Sequence, residues 1–265
     1  RACGLKEGDV ILSCGGSTIT STEQFQSLLQ KSDGEKTDLQ VHRNGVTMCV
    51  TVDPEANEQG NYCIGAWIRD SMAGIGTITF YDPETGRFGS LGHGVNDPKG
   101  GLAQMTGGSI YPASVLSVKK GKCGEPGQLK GGVDCPQALG TLEKNTHCGI
   151  FGHAQKAWAG MALEIASRDE VHPGKATIRS TVSGKQTRDY SVEILKVYPE
   201  HKAEGRNMLI RVTDQALLDA TGGIVQGMSG SPIIQDGKLI GAVTHVLVND
   251  PTTGYGIFIE NMLDA

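Results

Sequence analysis

The hexapeptide Gly227-Met228-Ser229-Gly230-Ser231-Pro232 sets a serine between glycines. Glycine removes side-chain bulk and permits φ > 0, so neighbouring backbone N–H groups can converge on one point. The N–H groups of Gly227 and Ser229 are therefore candidate donors to the oxyanion of a tetrahedral intermediate; losing one such donor typically removes about 3 kcal/mol of transition-state stabilisation. The alternative is a glycine-rich β-turn with an incidental serine. A serine hydroxyl is a weak nucleophile, so the reading requires a histidine base and a group that orients it. Of the seven histidines, His93 lies in Ser90-Leu91-Gly92-His93-Gly94, between glycines at the end of an expected strand, the setting of an imidazole at a cleft edge. Asp214 ends the apolar run Ile210-Arg211-Val212-Thr213 just before the serine loop and could accept from the far ring nitrogen. It also stands where an N-cap for QALLDATGG belongs, and the two roles are compatible. Asp97 and Asp134 are rival acids, although a loop turn explains Asp97 more simply. His245, alternating within AVTHVLV, reads as a wall histidine, and His42, His172 and His201 read as surface residues. His147 and His153 flank Cys148 in HCGIFGH, at a spacing that matches no usual metal-ligand pattern. No metal and no organic cofactor is expected.

The elements that must hold these residues follow from composition. A chain of 265 residues with 38% hydrophobic content can bury a core and hold more than one domain, which makes it a globular chain. The net charge of -5 and the lack of a dense Lys/Arg cluster argue against a nucleic-acid partner. No apolar run approaches the roughly 20 residues needed to cross a bilayer, and any targeting or membrane segment is expected upstream of Arg1. The seven cysteines are scattered, odd in number and without a C-x-x-C pair, so they define neither a disulfide framework nor a zinc site.

Thirty-eight glycines and few 3.6-period segments point to short strands joined by turns, a mainly β chain. Val10 to Ser13 reads as a strand, Gly15-Gly16 as a turn, and Ser21 or Thr22 as the cap of a helix with a Phe25/Leu28/Leu29 face. TDLQVHRNGVTMCVTV reads as a hairpin around Asn44-Gly45. DPEANEQGN, within residues 53 to 61, is polar and turn-rich, a linker. Further on, turns are expected at Asp82-Pro83 and Thr85-Gly86. GIGTIT lacks the third glycine and the following helix of a dinucleotide fingerprint. Strands resume in KATIRSTV, RDYSVEILKVY, NMLIRVTD, GSPIIQDGKLIGAVTHVLV and GYGIFIE, while residues 100 to 150 hold Gly-Gly pairs that place little.

Cys3-Gly4-Leu5-Lys6-Glu7-Gly8-Asp9-Val10-Ile11, followed by helix and hairpin, resembles the later part of a bacterial PDZ module. Such a module adds a peptide as a strand beside a carboxylate-binding loop; that loop would precede Arg1, and a bound peptide is expected if it is present. The expected organisation is 1–53 PDZ part, 54–62 linker and 63–265 catalytic domain. An α/β-hydrolase elbow reads G-x-S-x-G into a helix, with acid and histidine after the serine. Here Pro232 and a strand follow instead. The order His93, Asp214, Ser229, with GSP at the serine, resembles a chymotrypsin-like double β-barrel.

IRDSMAGIGTITFYDP, GSLGHGVNDP and TGGIVQGMSGSPIIQDGKLIGAVTHVLVNDPTTGYGIFIENML resemble the stage IV sporulation protein B peptidases, serine proteases of endospore formers. The resemblance implies that His93, Asp214 and Ser229 fall on the triad positions, with the acid nearer the serine than in ordinary chymotrypsin-like enzymes. It also implies export to the space between the two forespore membranes, self-cleavage, and cutting of a membrane-bound regulator that leads to activation of a late sigma factor. Gly223 and Gln226 before the serine and Thr244, His245, Val246 and Leu247 after it are the expected substrate-binding residues. The competing reading is a non-catalytic PDZ and barrel scaffold with a vestigial triad.

Overall fold

The computed structural model describes residues 4–19, 21–43, 46–68, 73–97, 100–103, 105, 107–135, 137–200 and 205–265. These form two compact units, Arg1–Ala73 and Gly74–Ala265. The turn at Asn44-Gly45 and His201 lie outside the described residues.

In the first unit, strands β1 (Val10–Cys14), β2 (Ser17–Thr18), β3 (Thr37–Arg43) and β4 (Val46–Val52) form an antiparallel sheet in the order β2-β1-β3-β4. Helix α1 (Thr22–Lys31) starts where Ser21 Oγ accepts from Gln24 N–H, and its apolar stripe buries Phe25 and Leu29 against Cys14, Leu39, Val41 and Val52. The segment expected as a linker is shorter than its polarity suggests. It contains a hairpin of β5 (Glu55–Ala56) and β6 (Tyr62–Cys63). The reason is Tyr62. Its carbonyl accepts from Gln26 and Gln30, its N–H donates to Gln30 Oε1, and its hydroxyl donates to Asp33, so polar residues tie the hairpin to α1.

The second unit opens with β7 (Ile78–Tyr81), β8 (Arg87–Ser90), β9 (Gly108–Ile110), β10 (Ala113–Lys119), β11 (Gln128–Val133), β12 (Gly140–Thr146) and β13 (Gly149–Ala154). Five of these make a sheet in the order β7-β8-β13-β12-β9, and β10-β11 is a separate ribbon. The strands β14 (Gly174–Thr181), β15 (Thr187–Val197), β16 (Met208–Val212), β17 (Pro232–Gln235), β18 (Lys238–Leu247) and β19 (Asp250–Phe258) close into a barrel in the order β14-β15-β16-β19-β18-β17. Helices α2 (Gln215–Thr221) and α3 (Ile259–Leu263) follow β16 and β19. The chain is mainly β, with a PDZ-like unit first. Among the described residues one barrel closes, and the half expected as the other barrel is the five-stranded sheet.

The barrel closes because its strands alternate. Successive side chains of a strand face opposite sides, and β16 accordingly buries Met208, Ile210 and Val212 while exposing Arg211. Ile178, Ile194, Met208, Ile210 and Ile233 fill the interior. Ile210 is 0% exposed. Ile210→Ala should therefore lower unfolding free energy by roughly 2–5 kcal/mol, measured by urea denaturation; a loss under about 1 kcal/mol would show that the barrel centre collapses around the missing atoms.

Candidate active site

Ser229 lies in the connection from α2 to β17. Gly227 (φ 98) and Gly230 (φ 89) take the left-handed region on either side of the Met228-Ser229 pair, which is why both are glycine. The loop is pinned by main-chain bonds: Met228 N–H donates to Val225 O, Gly230 N–H to Val243 O, Ser231 N–H to Met228 O, and Val243 N–H to Ser231 O. The N–H groups of Gly227 and Ser229 have no acceptor among the described residues. Two free donors two residues apart, on a loop fixed from both sides, form the set an oxyanion needs.

His93 comes from the turn after β8. Leu91 and Gly92 both have φ 68, and this pair of left-handed residues throws the imidazole out of the strand line. Leu91 is an uncommon residue in that region. Its side chain packs on Gly76, where a Cβ would stand 2.1 Å from Leu91 Cδ2. Gly92 lies against Thr244 and Ile257, with no room for a Cβ.

Thr77 joins the two loops. Its N–H donates to Ser229 O at 2.9 Å and its carbonyl accepts from Leu91 N–H at 3.3 Å. Thr79 Oγ1 adds a bond to Gly230 O at 2.8 Å. The His93 loop and the Ser229 loop thus both meet Thr77, just ahead of β7, and Thr244 of β18. Ser229 Oγ donates to Thr244 O at 3.0 Å. His93 Nδ1 faces Gly94 O at 2.9 Å, and its ring lies 5.2 Å from that of His245. A bond between Nδ1–H and a carbonyl selects the tautomer whose Nε2 carries the lone pair, the form a general base requires.

Asp214 makes other bonds. One carboxylate oxygen accepts from Leu217 N–H at 3.1 Å and the other from Ser191 N–H at 3.3 Å, so the residue caps α2 and holds β15 beside it. Among the described residues no carboxylate hydrogen-bonds His93. Of the rival acids, Asp97 holds a loop turn by accepting from Gly101 N–H, and Asp134 accepts from Ser114 Oγ and pairs with Lys185. His153 pairs with Glu143, and among the described residues no group of three His, Cys, Asp or Glu side chains could hold a metal ion.

The expected substrate-binding residues divide into two groups. Thr244 is buried, with Oγ1 donating to Gly205 O at 2.6 Å, and its carbonyl meets the serine. His245, Val246 and Leu247 continue β18 past the end of its pairing with β17, bonded to β19 alone. Gly223 is instead buried beneath Pro251, whose carbonyl oxygen would stand 2.1 Å from a Cβ there. Gln226 is exposed, its main chain bonded to Gly127 O and Leu129 N–H. The main-chain roles of Thr77 and Gly94 have no signature in side-chain chemistry.

The SpoIVB peptidase S55 family model matches residues 60–263, and a PDZ domain model matches residues 1–43. The chain belongs to the SpoIVB peptidase S55 family. Among curated proteins, the zinc metalloprotease RasP of Geobacillus kaustophilus (strain HTA426) is 34% identical over 65 residues, 24% of this chain and 15% of that protein, so the chain spans only a small part of that relative. Solved structures with some likeness include two of Rv3671c from M. tuberculosis. Against an inactive serine-to-alanine mutant of the H37Rv protein this S55 member shows 13% identity and a TM-score of 0.34, covering 60% of this chain and 77% of that one. Against the active form of the protease the identity is 12% and the TM-score 0.35, covering 57% and 77%.

Two expectations follow for this S55 member. Asparagine caps a helix as well as aspartate does, and alanine does not. Asp214→Asn should keep stability and most turnover, whereas Asp214→Ala should lose about 1 kcal/mol; a fall of about 10⁴ in kcat for the asparagine variant would assign Asp214 to the base after all. The second concerns His245, whose pKa is pushed down from the ordinary 6.5 to about 4, first by desolvation against the surrounding protein and then by the charges of His93 and Arg206. The residue is exposed, and solvent moderates the desolvation. A histidine kept neutral in the fold binds its proton more readily when unfolded. Stability should therefore fall as pH drops from 6.5 towards 4, and His245→Asn should flatten that limb in thermal unfolding. Equal slopes in both proteins would remove His245 from the acid response.

Proposed function

We propose that this chain is a serine endopeptidase in which Ser229 attacks the peptide carbonyl, His93 takes and returns the proton, and the N–H groups of Gly227 and Ser229 receive the oxyanion. The observation that carries the reading is the pair of unmatched N–H donors beside a serine whose loop is tied through Thr77 to the histidine loop. The family resemblance puts Asp214 on the acid's position; its bonds support the cap role, with Gly94 O taking the orienting bond to His93. Before attack, the hydroxyl must leave Thr244 O for the imidazole. An incoming peptide laid along Thr244 to Leu247 would compete for that carbonyl and release the hydroxyl.

The biological setting belongs to the same proposal. Membership in the S55 family and the long likeness of residues 208 to 263 support a role in sporulation signalling: self-cleavage, then cutting of a membrane-bound regulator in the space between the forespore membranes. The PDZ-like unit supports protein or peptide substrates.

A fluorophosphonate tests the chemistry. Stoichiometric labelling of folded protein that disappears in Ser229→Ala and becomes very slow in His93→Ala is the expected result; no labelling near pH 8 would favour the non-catalytic scaffold. Specificity is a separate expectation. The stretch Gly222 to Gln226 holds no carboxylate, and a buried ammonium without a partner is strongly disfavoured. Cleavage of a mixed peptide library should show no preference for Lys or Arg before the cut. A dominant cut after either would show that a carboxylate outside this stretch receives the side chain.

A further inference from the structure

We infer that Asn145 is the positioning residue of the general base, acting through one peptide plane. The inference rests on the reading of His93 as that base. His93 Nδ1 is held by Gly94 O, so whatever fixes that carbonyl fixes the imidazole. Gly94 C=O and Val95 N–H belong to the same planar, trans peptide unit and point in opposite directions. Gripping the N–H therefore sets where the oxygen points.

Asn145 makes that grip from β12, where it pairs with Ile150 of β13. Its Oδ1 accepts from Val95 N–H at 2.9 Å, and its Nδ2 donates to Val95 O at 2.8 Å and to Ala103 O at 2.9 Å. Both amide hydrogens and the amide oxygen are used, and the pattern allows only one orientation: a flipped amide would set donor against donor and acceptor against acceptor. Val95 and Ala103 are the base of a small hairpin, closed by Ala103 N–H to Val95 O, the Asn96–Leu102 bridge and Asp97 N–H to Gly101 O. One side chain thus locks the hairpin to the sheet at the residue after Gly94. Gly94 is itself pressed against β12, where a Cβ would stand 2.6 Å from Thr146 O, so the plane has little freedom to turn.

Asn145→Leu would lose all three bonds while keeping roughly the side-chain volume. Asn145→Asp keeps the shape and the acceptor for Val95 N–H but loses both donors, and Asn145→Ala loses all three bonds. Two readouts separate positioning from mere stability. The ¹⁵N shifts of the His93 ring report which nitrogen carries the proton in the neutral form, and the rate of fluorophosphonate labelling at Ser229 reports the base. The wild type should show the Nδ1–H tautomer. Asn145→Ala should shift His93 towards the Nε2–H tautomer that a free histidine side chain prefers, and slow labelling about a hundredfold, as a misplaced catalytic group does, while cooperative unfolding persists. If Asn145→Ala fails to fold, Asn145→Leu serves, because it fills the same space and also loses all three bonds, with the same direction expected. Unchanged tautomer and unchanged labelling in a folded variant would overturn the role of Asn145, as would an Nε2–H tautomer in the wild type. A wild type that is never labelled would overturn the peptidase reading instead, and the tautomer measurement would still decide the positioning.

Discussion

The geometry of this site hangs on the main chain of Thr77. Its N–H holds the carbonyl of Ser229, and its carbonyl holds the N–H of Leu91, which begins the His93 loop. The residue sits just ahead of β7, so the five-stranded sheet reaches the barrel's serine by backbone bonds, which substitutions at 77 other than proline leave in place. Backbone bonds of this kind are directional and short, and they are insensitive to the pH at which the side chains titrate. Thr79 Oγ1 repeats the link one step along, through Gly230 O.

Strands β14 to β16 were legible because burial there alternates, and period 2 survives in the sequence wherever one face is wet and the other dry. KATIRSTV, RDYSVEILKVY and NMLIRVTD all fall on β14 to β16. Residues 100 to 150 were not legible. The ribbon β10-β11 leaves Leu116 and Val133 exposed, and β12 is largely exposed too, so their patterns carry no single apolar face. The hairpin at 55–63 was hidden for a related reason: glutamines and a tyrosine hold it, and polarity reads as a loop.

The site was legible in its loops and not in its links. Glycines around Ser229 and His93 announced unusual backbone, and the structure puts both loops at one place. Asp214 fitted two roles in sequence because an acid before a short amphipathic run is what either requires; the bonds to Leu217 and Ser191 show the cap role. Asn145 gave no signal at all, since its partners lie about fifty residues away in a register that local pattern does not encode.

The two unmatched N–H groups at Gly227 and Ser229 carry a consequence for the folded state as a whole. A half-buried donor without a protein acceptor forgoes roughly 1 kcal/mol that a hydrogen bond would contribute, and this loop carries two of them, two residues apart. The fold therefore holds a small local deficit at the point where negative charge would develop. Anything that presents a tetrahedral oxygen there would complete the loop's own bonding as well as bind to it. Occupancy of the site and rigidity of the serine loop are then the same event, and the protein should be at its stiffest midway through a reaction.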